Sequence, residues 1–558
     1  MDIQRLILLF IFSFSVLMLW DAWEKHQRPK PAAVAAQAQG SVPAPSLPQT
    51  PPAPQPAAGA APVAGAPAPA ASGAAAPAAQ KREMLVATTD FLRAEIDTLG
   101  GTVQRVEFSR HKDSADPTKN FVFFGPEHSF AAQSGITGDA GPNHRTAWRV
   151  LPGPRELAAG VDRFEVRLAA ETQTGLAVQK VFTFSRSSYQ IGIAFEIANN
   201  GAAPVRPHAY FQLVRDDKAP AGESAMMQTF TGPVFFTDEK KYAKVSFEDV
   251  AKGKTDLPKQ AVTDGWIGMV QHYFVAAWLP AEKASREFFA RKLPDGLYAA
   301  GAIIGMGEIA PGATERVETH LYAGPQELRR LEAAAPGLDL VVDFGWLTVI
   351  AKPLFWLLEK YHGISGNWGA AIILLTITIK LVFFPLSAAS YKSMAKMKLV
   401  TPRLTKIRET YGNDRQKMNQ AMMELYKTEK INPLGGCFPI LVQIPVFIAL
   451  YWTLLAAIEL RHAPFILWIK DLSALDPYYV LPVLMAITMI LQTKMNPVPP
   501  DPVQAKVMQF MPYVFSVFFF FFPAGLVLYW LVNNILSIGQ QWQIQRMFDR
   551  DKTAHGRR

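Results

Sequence analysis

One stretch limits what this chain can fold into more than any other: residues 367–386, NWGAAIILLTITIKLVFFPL. It has the length and apolar character of a membrane-crossing helix, about 20 residues, yet it carries Lys380 inside it. At a helical rise of about 1.5 Å per residue, Lys380 lies roughly 20 Å from the outer end and about 9 Å from the inner end, if Asn367 faces out. An ammonium in that inner half costs on the order of 3 kcal/mol on insertion scales. Two arrangements relieve the cost: the stem snorkels to the near interface, or the charge faces a wet cavity between helices.

A chain of 558 residues has room for more than one domain. Its single cysteine, Cys437, excludes a disulfide framework and a cysteine-based zinc site. The net charge of +9 is concentrated beside apolar runs, where the positive-inside rule accounts for it more directly than nucleic acid does. No G-x-x-x-x-G-K-[ST] phosphate loop occurs, so hydrolysis of ATP at such a site is not expected, and no cofactor or metal is.

Residues 3–20, IQRLILLFIFSFSVLMLW, form an apolar run with Arg5 on one side and Trp20 and Trp23 on the other. The nearest A-x-A is Ala36 to Ala38, so residues 1–23 read as an uncleaved anchor with its N-terminus inside rather than a signal peptide. Residues 24–83 are rich in Pro and Ala and too poor in large apolar residues to offset the entropy of ordering, which makes them an extended tether.

Residues 84–340 read as a β-sandwich on the far side of the membrane. Tyr189, Ile191, Ile193, Phe195 and Ile197 alternate strictly before the turn Asn199-Asn200-Gly201, and Phe164, Val166 and Leu168 alternate likewise. Phe182 and Phe184 share a face, and Gly100-Gly101 make a turn ahead of Val106 and Phe108. The spacing predicts a helix only near 326–334. His111, His128, His144 and His272 are scattered without metal-ligand spacing; Asp264 and His272 near Trp266 would suit a sugar site, but a structural role is favoured.

Residues 341–366 include GWLTVIAKPLFWLLEKY, an amphipathic helix expected to lie in the outer interface with Trp346, Ile350, Phe355 and Leu358 on its apolar face. The polar segment 387–432 carries ten Lys or Arg against four Asp or Glu, which makes it cytoplasmic. Its periodicity predicts a hairpin of two helices broken at Gly412-Asn413, with Asp414 capping the second. Met394, Met397, Met418 and Met422 either pack the two helices together or form a soft docking surface. Further spans are expected at 434–458, 479–492, 507–522 and 524–540, with Lys494, Lys506 and the basic tail 546–558 inside. Six spans result, with both termini cytoplasmic.

Polar side chains recur within these spans: Thr376 one turn before Lys380, then Gln443, Ser516, Asn533, Asn534 and Ser537. Their shared lean toward inner-half depths favours a wet groove, although any one of them serves equally well as interhelical glue. No carboxylate in the spans offers Lys380 a partner. Phe515 and the run Phe518 to Phe522 make an apolar helix suited to lipid or to another hydrophobic segment.

The runs SMAKMK (393–398), NPLGGCFP (432–439), DLSALDPYY (471–479) and FPAGLVLYW (522–530) resemble the YidC/Oxa1/Alb3 membrane protein insertases. The order of anchor, large outer domain and five-span core is similar to the Gram-negative YidC type. The resemblance implies an α-helical polytopic protein of the bacterial inner membrane, with an N-terminal anchor, a five-helix core over 367–545 and a periplasmic all-β supersandwich. It further implies a non-enzymatic insertase and chaperone acting alone or with the Sec translocon. Its substrate groove would be lined by Lys380, Thr376, Gln443, Ser516, Trp530, Asn533, Asn534 and Ser537. Phe515, Phe518, Phe519 and Phe522 would form a lipid-facing slide. The implied partners are nascent membrane proteins, the bilayer and, through the basic cytoplasmic regions, the ribosome. The family's groove usually carries arginine where this chain has Lys380, which keeps the charge but loses the planar fork. The rival reading is a small-anion transporter or channel with Lys380 as its ion site; the internal repeat that would support it is not found.

Overall fold

Period-two alternation of apolar residues builds the first half of the chain, because successive side chains on a strand face opposite sides of the sheet. The computed structural model describes residues 82–137, 141–172, 175–220, 229–281, 283–412, 414–429, 438–496 and 502–555. The expected anchor at 1–23, the tether up to residue 81, Cys437 and the last three residues of the tail lie outside them, as do the side chains of Arg550 and Lys552.

The strands run β1 (Met84–Thr88), β2 (Leu92–Asp97), β3 (Thr102–Lys112), β4 (Asn120–Phe124), β5 (Ala131–Thr137), β6 (Arg149–Val150), β7 (Arg163–Glu171), β8 (Leu176–Ser185) and β9 (Gln190–Asn199). They continue as β10 (His208–Arg215), β11 (Gly232–Thr237), β12 (Lys241–Lys244), β13 (Trp266–Gln271), β14 (Phe274–Pro280), β15 (Arg286–Lys292), β16 (Tyr298–Gly305) and β17 (Thr314–Pro325). The described residues form two antiparallel sheets. One of eight strands is ordered β1-β2-β3-β5-β10-β16-β15, with β4 on β3, and one of nine is ordered β12-β11-β13-β14-β17-β9-β8-β7-β6. Ile191, Ile193, Phe195 and Ile197 are all buried on β9. Phe211 of the first sheet meets Phe195 and Trp278 of the second at ring separations of 5.8 and 5.3 Å, so the core lies between the sheets.

Lys180 ties the layers together. It is fully buried on β8, and its Nζ donates to the carbonyls of Gly100 (3.2 Å), Gly101 (2.7 Å) and Ser134 (3.0 Å) from the opposite sheet. The rings of Trp148, Phe182 and Phe195 surround it at 5.3–5.8 Å. Three acceptors match the three donors of an ammonium. Gly100 at φ +86 turns so closely past His144 that a Cβ would overlap its carbonyl, which explains the glycine.

A short helix, α1 (Phe247–Ala251), was not expected; Ser246 caps it by accepting from the Asp249 amide. The helix expected near 326–334 is α2 (Leu328–Ala334). The three residues weighed for a sugar site each have a partner elsewhere in the chain. Asp264 accepts from the Asp238 amide, Trp266 donates to Pro336 O, and His272 Nε2 faces Leu455 O of the helical half at 3.3 Å.

The helical half begins with α3 (Thr348–Ser365), which buries Ala351, Phe355 and Leu358. Trp346 precedes this helix and is 77% exposed, together with Val349 and Trp356. The expected apolar face is therefore divided: Phe355 and Leu358 pack inward, while Trp346 joins an outward-facing set. The next helices are α4 (Trp368–Val382) and α5 (Phe384–Tyr411), bent by 65° at their junction. The expected single span 367–386 thus ends at Phe383, and the first arm of the hairpin starts at Phe384 rather than at residue 387. Pro385 explains the break, since it has no N–H to continue the α4 hydrogen-bond ladder and is tolerated in the first turn of a new helix.

The hairpin's second arm is α6 (Arg415–Thr428), and the Asp414 side chain accepts from the amides of Gln416 and Lys417. The remaining helices are α7 (Phe438–Ala456), α8 (Val480–Met495), α9 (Pro502–Phe518) and α10 (Ala524–His555). Among the described residues no single helix is long and apolar enough to cross a membrane; α4 and α5 together are, by length and composition.

Candidate functional site

Lys380 sits in the last turn of α4, where a cation also complements the helix C-terminus. Its side chain is 6% exposed, and Nζ donates to Ser537 Oγ of α10 at 2.7 Å. The ammonium therefore turns into the bundle instead of snorkelling outward. Ser537 Oγ in turn donates to Asn533 O at 2.7 Å, and Asn533 Oδ1 accepts from Gln443 Nε2 of α7 at 3.4 Å. Three helices thus meet along one polar line. Among the described residues no carboxylate pairs with Lys380, whereas the buried cation of the β domain, Lys180, has its donors fully used.

The other expected groove residues divide. Thr376 is 1% exposed and spends its hydroxyl on Ile372 O of its own helix (2.7 Å), and Ser516 does the same with Pro512 O (2.6 Å). Asn534 points to α8, with Nδ2 3.5 Å from Met485 Sδ. Trp530, expected in the groove, lies on the apolar side, against Phe447 (5.3 Å), Phe519 (4.5 Å) and Phe522 (5.3 Å). Its indole is mostly hydrocarbon, and packing decided its place.

That apolar side is a cavity of about 480 Å³ between α7 and α9, closed at its base by Trp530 of α10. Phe447, Ile448 and Tyr451 line one wall; Met511, Val514, Phe515 and Phe518 line the other. Phe515 and Phe518 are 48% and 45% exposed, whereas Phe519 is buried at 6% against Trp530. The sequence reading missed Phe447 and Tyr451, whose i, i+4 spacing on a helix that contains Pro445 was the available signal. It also missed Ser390 and Gln541, both buried.

Of the four hairpin methionines, Met397 and Met422 pack on Val400 and Leu404 between the two arms, while Met394 and Met418 lie half-buried outside that cluster. Arg403 and Glu429 clasp the arms at 2.6 Å.

The outer end of the bundle is closed by the loop between α7 and α8. The amides of Ala524 and Gly525 donate to Ala474 O and Leu472 O at 2.7 and 2.8 Å. Asp476 accepts from Trp468 Nε1 (3.0 Å) and from the Leu481 amide (2.7 Å), pinning the loop to the start of α8. Phe465 packs so tightly on Gly369 of α4 that a Cβ there would overlap its ring.

Two family models match the chain: the YidC periplasmic domain over residues 85–357 and the 60Kd inner membrane protein over residues 360–552. A membrane protein insertase YidC of Dechloromonas aromatica is 54% identical, with 98% of each chain covered; one of Cupriavidus necator is 52% identical, with 99% of each covered. A crystal structure of an active YidC insertase with its first transmembrane domain resolved aligns with a TM-score of 0.39 at 17% identity, covering 82% of this chain and 92% of that one. At more than half identity over nearly the whole of both chains, this chain belongs to the YidC/Oxa1 family of membrane protein insertases.

Proposed function

We propose that the chain inserts membrane proteins by a route with two sides, one polar and one apolar. The incoming hydrophobic segment slides along Phe515 and Phe518 in the cavity between α7 and α9. Its short polar tail rests meanwhile beside Lys380, Ser537, Asn533 and Gln443. The observation that carries this reading is a buried ammonium without a carboxylate partner among the described residues, on the same helical bundle as an apolar cavity of about 480 Å³. Such a cation attracts an acidic residue on the visiting tail, and the low dielectric strengthens that attraction.

No covalent step is needed. With the N- and C-termini in the cytoplasm and the β domain outside, the membrane potential favours outward movement of an acidic tail by about 2.3 kcal/mol per charge per 100 mV. Transfer of the substrate's apolar helix into lipid supplies much of the remainder. A polar recess in the inner half, reached by α4, α7, α8, α9 and α10 acting as five spans, shortens the dry path. The Sec translocon would deliver longer substrates. The basic hairpin and tail would approach ribosomal RNA electrostatically.

The test is depletion of the protein followed by protease protection of a small two-span protein with an acidic outer tail, complemented by wild type or by Lys380→Glu. Restored protection by wild type and not by Lys380→Glu supports the route; equal protection by both overturns it.

A further inference from the structure

The loop that closes the outer end of the bundle is itself gripped by the β domain. Arg461, just after α7, donates from Nη2 to Ser114 Oγ at 2.9 Å in the β3–β4 hairpin. Its guanidinium lies over the rings of Phe121 and Phe274, 5.2 and 5.6 Å from their centroids, and those rings stack on each other at 4.2 Å. His462 follows at φ +58, a left-handed conformation that turns its ring back toward both partners. Its Nε2 lies 3.2 Å from Lys112 O of the hairpin, and its Nδ1 lies 3.2 Å from Asp471 Oδ2 of the loop.

Both ring nitrogens face acceptors. A neutral imidazole carries one N–H and satisfies one of them; the imidazolium satisfies both. Asp471 is held as a carboxylate: burial opposes its charge, but His462 and Ser473 keep it below the usual carboxylate range. Other ionisable groups face this cluster: His111, Asp113 and Tyr273 from the β domain, and Arg461 and Glu459 from the turn after α7, the last with its carboxyl raised by burial to about 8. Burial, reinforced by Arg461, His462, Arg110 and Arg330, holds His111 down to about 4, and burial pushes Tyr273 up to about 12.

We propose that His462 is a proton-dependent clasp that positions the outer seal of the helical bundle: protonated, it ties the β3–β4 hairpin to Asp471 and holds the β domain down on the loop; deprotonated, it releases one of the two. Arg461 on its aromatic shelf is the proton-independent half of the grip. The clasp is independent of the groove, since it joins the β domain to the loop through residues that touch neither Lys380 nor the apolar cavity.

The test places spin labels at Ala115→Cys on the hairpin and Lys470→Cys on the loop, in the full-length chain with Cys437→Ser and with Glu459→Gln to remove the other group that titrates in this range, reconstituted in liposomes. Distance distributions are compared at about pH 6 and about pH 8.5, a range that brackets histidine titration. For wild type the docked-to-open ratio should fall about tenfold with the rise in pH, the worth of one charge-assisted hydrogen bond. His462→Gln, which keeps a polar group but cannot titrate there, should give the same lowered ratio at both pH values. Asp471→Asn should abolish most of the gain on the acid side. A wild-type distribution that does not change between the two pH values overturns the proposal, and so does a His462→Gln protein that keeps the wild-type pH dependence.

Discussion

Lys380 and Ser537, 157 residues apart in sequence, share a 2.7 Å hydrogen bond that joins the bent first helix of the bundle to its last. The same hydroxyl donates to Asn533 O, so one serine both orients the ammonium and anchors it to the α10 backbone. The positive charge is held inward by this bond.

If that charge draws acidic tails, reversing it should cost most for the most acidic substrates. Lys380→Glu is expected to reduce insertion of a substrate with two outer acidic residues by at least about tenfold, and to affect a neutral-tailed one less. Lys380→Arg should insert both near wild-type rates. Comparable insertion by the Glu and Arg variants, measured by protease protection, would contradict a role for the charge.

Phe518 and Phe519 are adjacent in sequence yet differ in exposure, 45% against 6%. A photo-crosslinking residue at 518 should capture nascent membrane segments, and one at 519 should not. Phe519→Ala should destabilise the bundle by about 3–5 kcal/mol as a cavity opens under Trp530, whereas Phe518→Ala should cost far less. Thermal unfolding in detergent separates the two, and equal losses would refute the assigned wall.

Lys180 is the interior cation of the β domain. Lys180→Met retains the stem but leaves the Gly100, Gly101 and Ser134 carbonyls without donors, and should destabilise by about 3–5 kcal/mol. Lys180→Arg should not rescue, because the planar fork cannot fill a site shaped for an ammonium. Unfolding by urea followed through tryptophan fluorescence is the measurement; an unchanged midpoint would show that water replaces the lost donors.

Burial, with Arg145, Lys180 and Arg291 nearby, holds His144 down to about 4 from 6.5, and His111 is held at a similar value. Between those pH values the unfolded chain takes up protons that the folded domain refuses. Stability from these two groups is therefore complete above the unfolded value and is lost as pH falls toward about 4, by on the order of 3 kcal/mol for each. The melting temperature of the β domain should fall between pH 6.5 and 4.5, and less so in His144→Gln; an unchanged slope in that variant would exclude His144 as a source.

Much of the fold was legible because it rests on periodicity. Ile191, Ile193, Phe195 and Ile197 announced β9, and Asp414 announced a helix start. The break at Phe383 was missed because apolar character continues across it: hydropathy measures composition, whereas the bend is set by one absent amide donor. Spacing placed Trp346 on one apolar face with Phe355 and Leu358, but it does not say which apolar residues of an amphipathic helix meet protein and which meet the outside.

The sequence by itself determined that a cation lies within an apolar helix, that a β domain precedes it, and that the chain carries the motifs of an insertase. Only the tertiary structure decided where that cation points, since Ser537 and Asn533 come from the far end of the chain and Gln443 from a third helix. It alone divided the aromatic residues into an open wall at Phe515 and Phe518 and a buried base at Phe519 and Trp530. It alone brought His462 against Lys112, whose carbonyl no sequence pattern marks. Local periodicity is written in nearest neighbours, whereas hydrogen-bond partners and cavity walls are chosen by which distant faces pack.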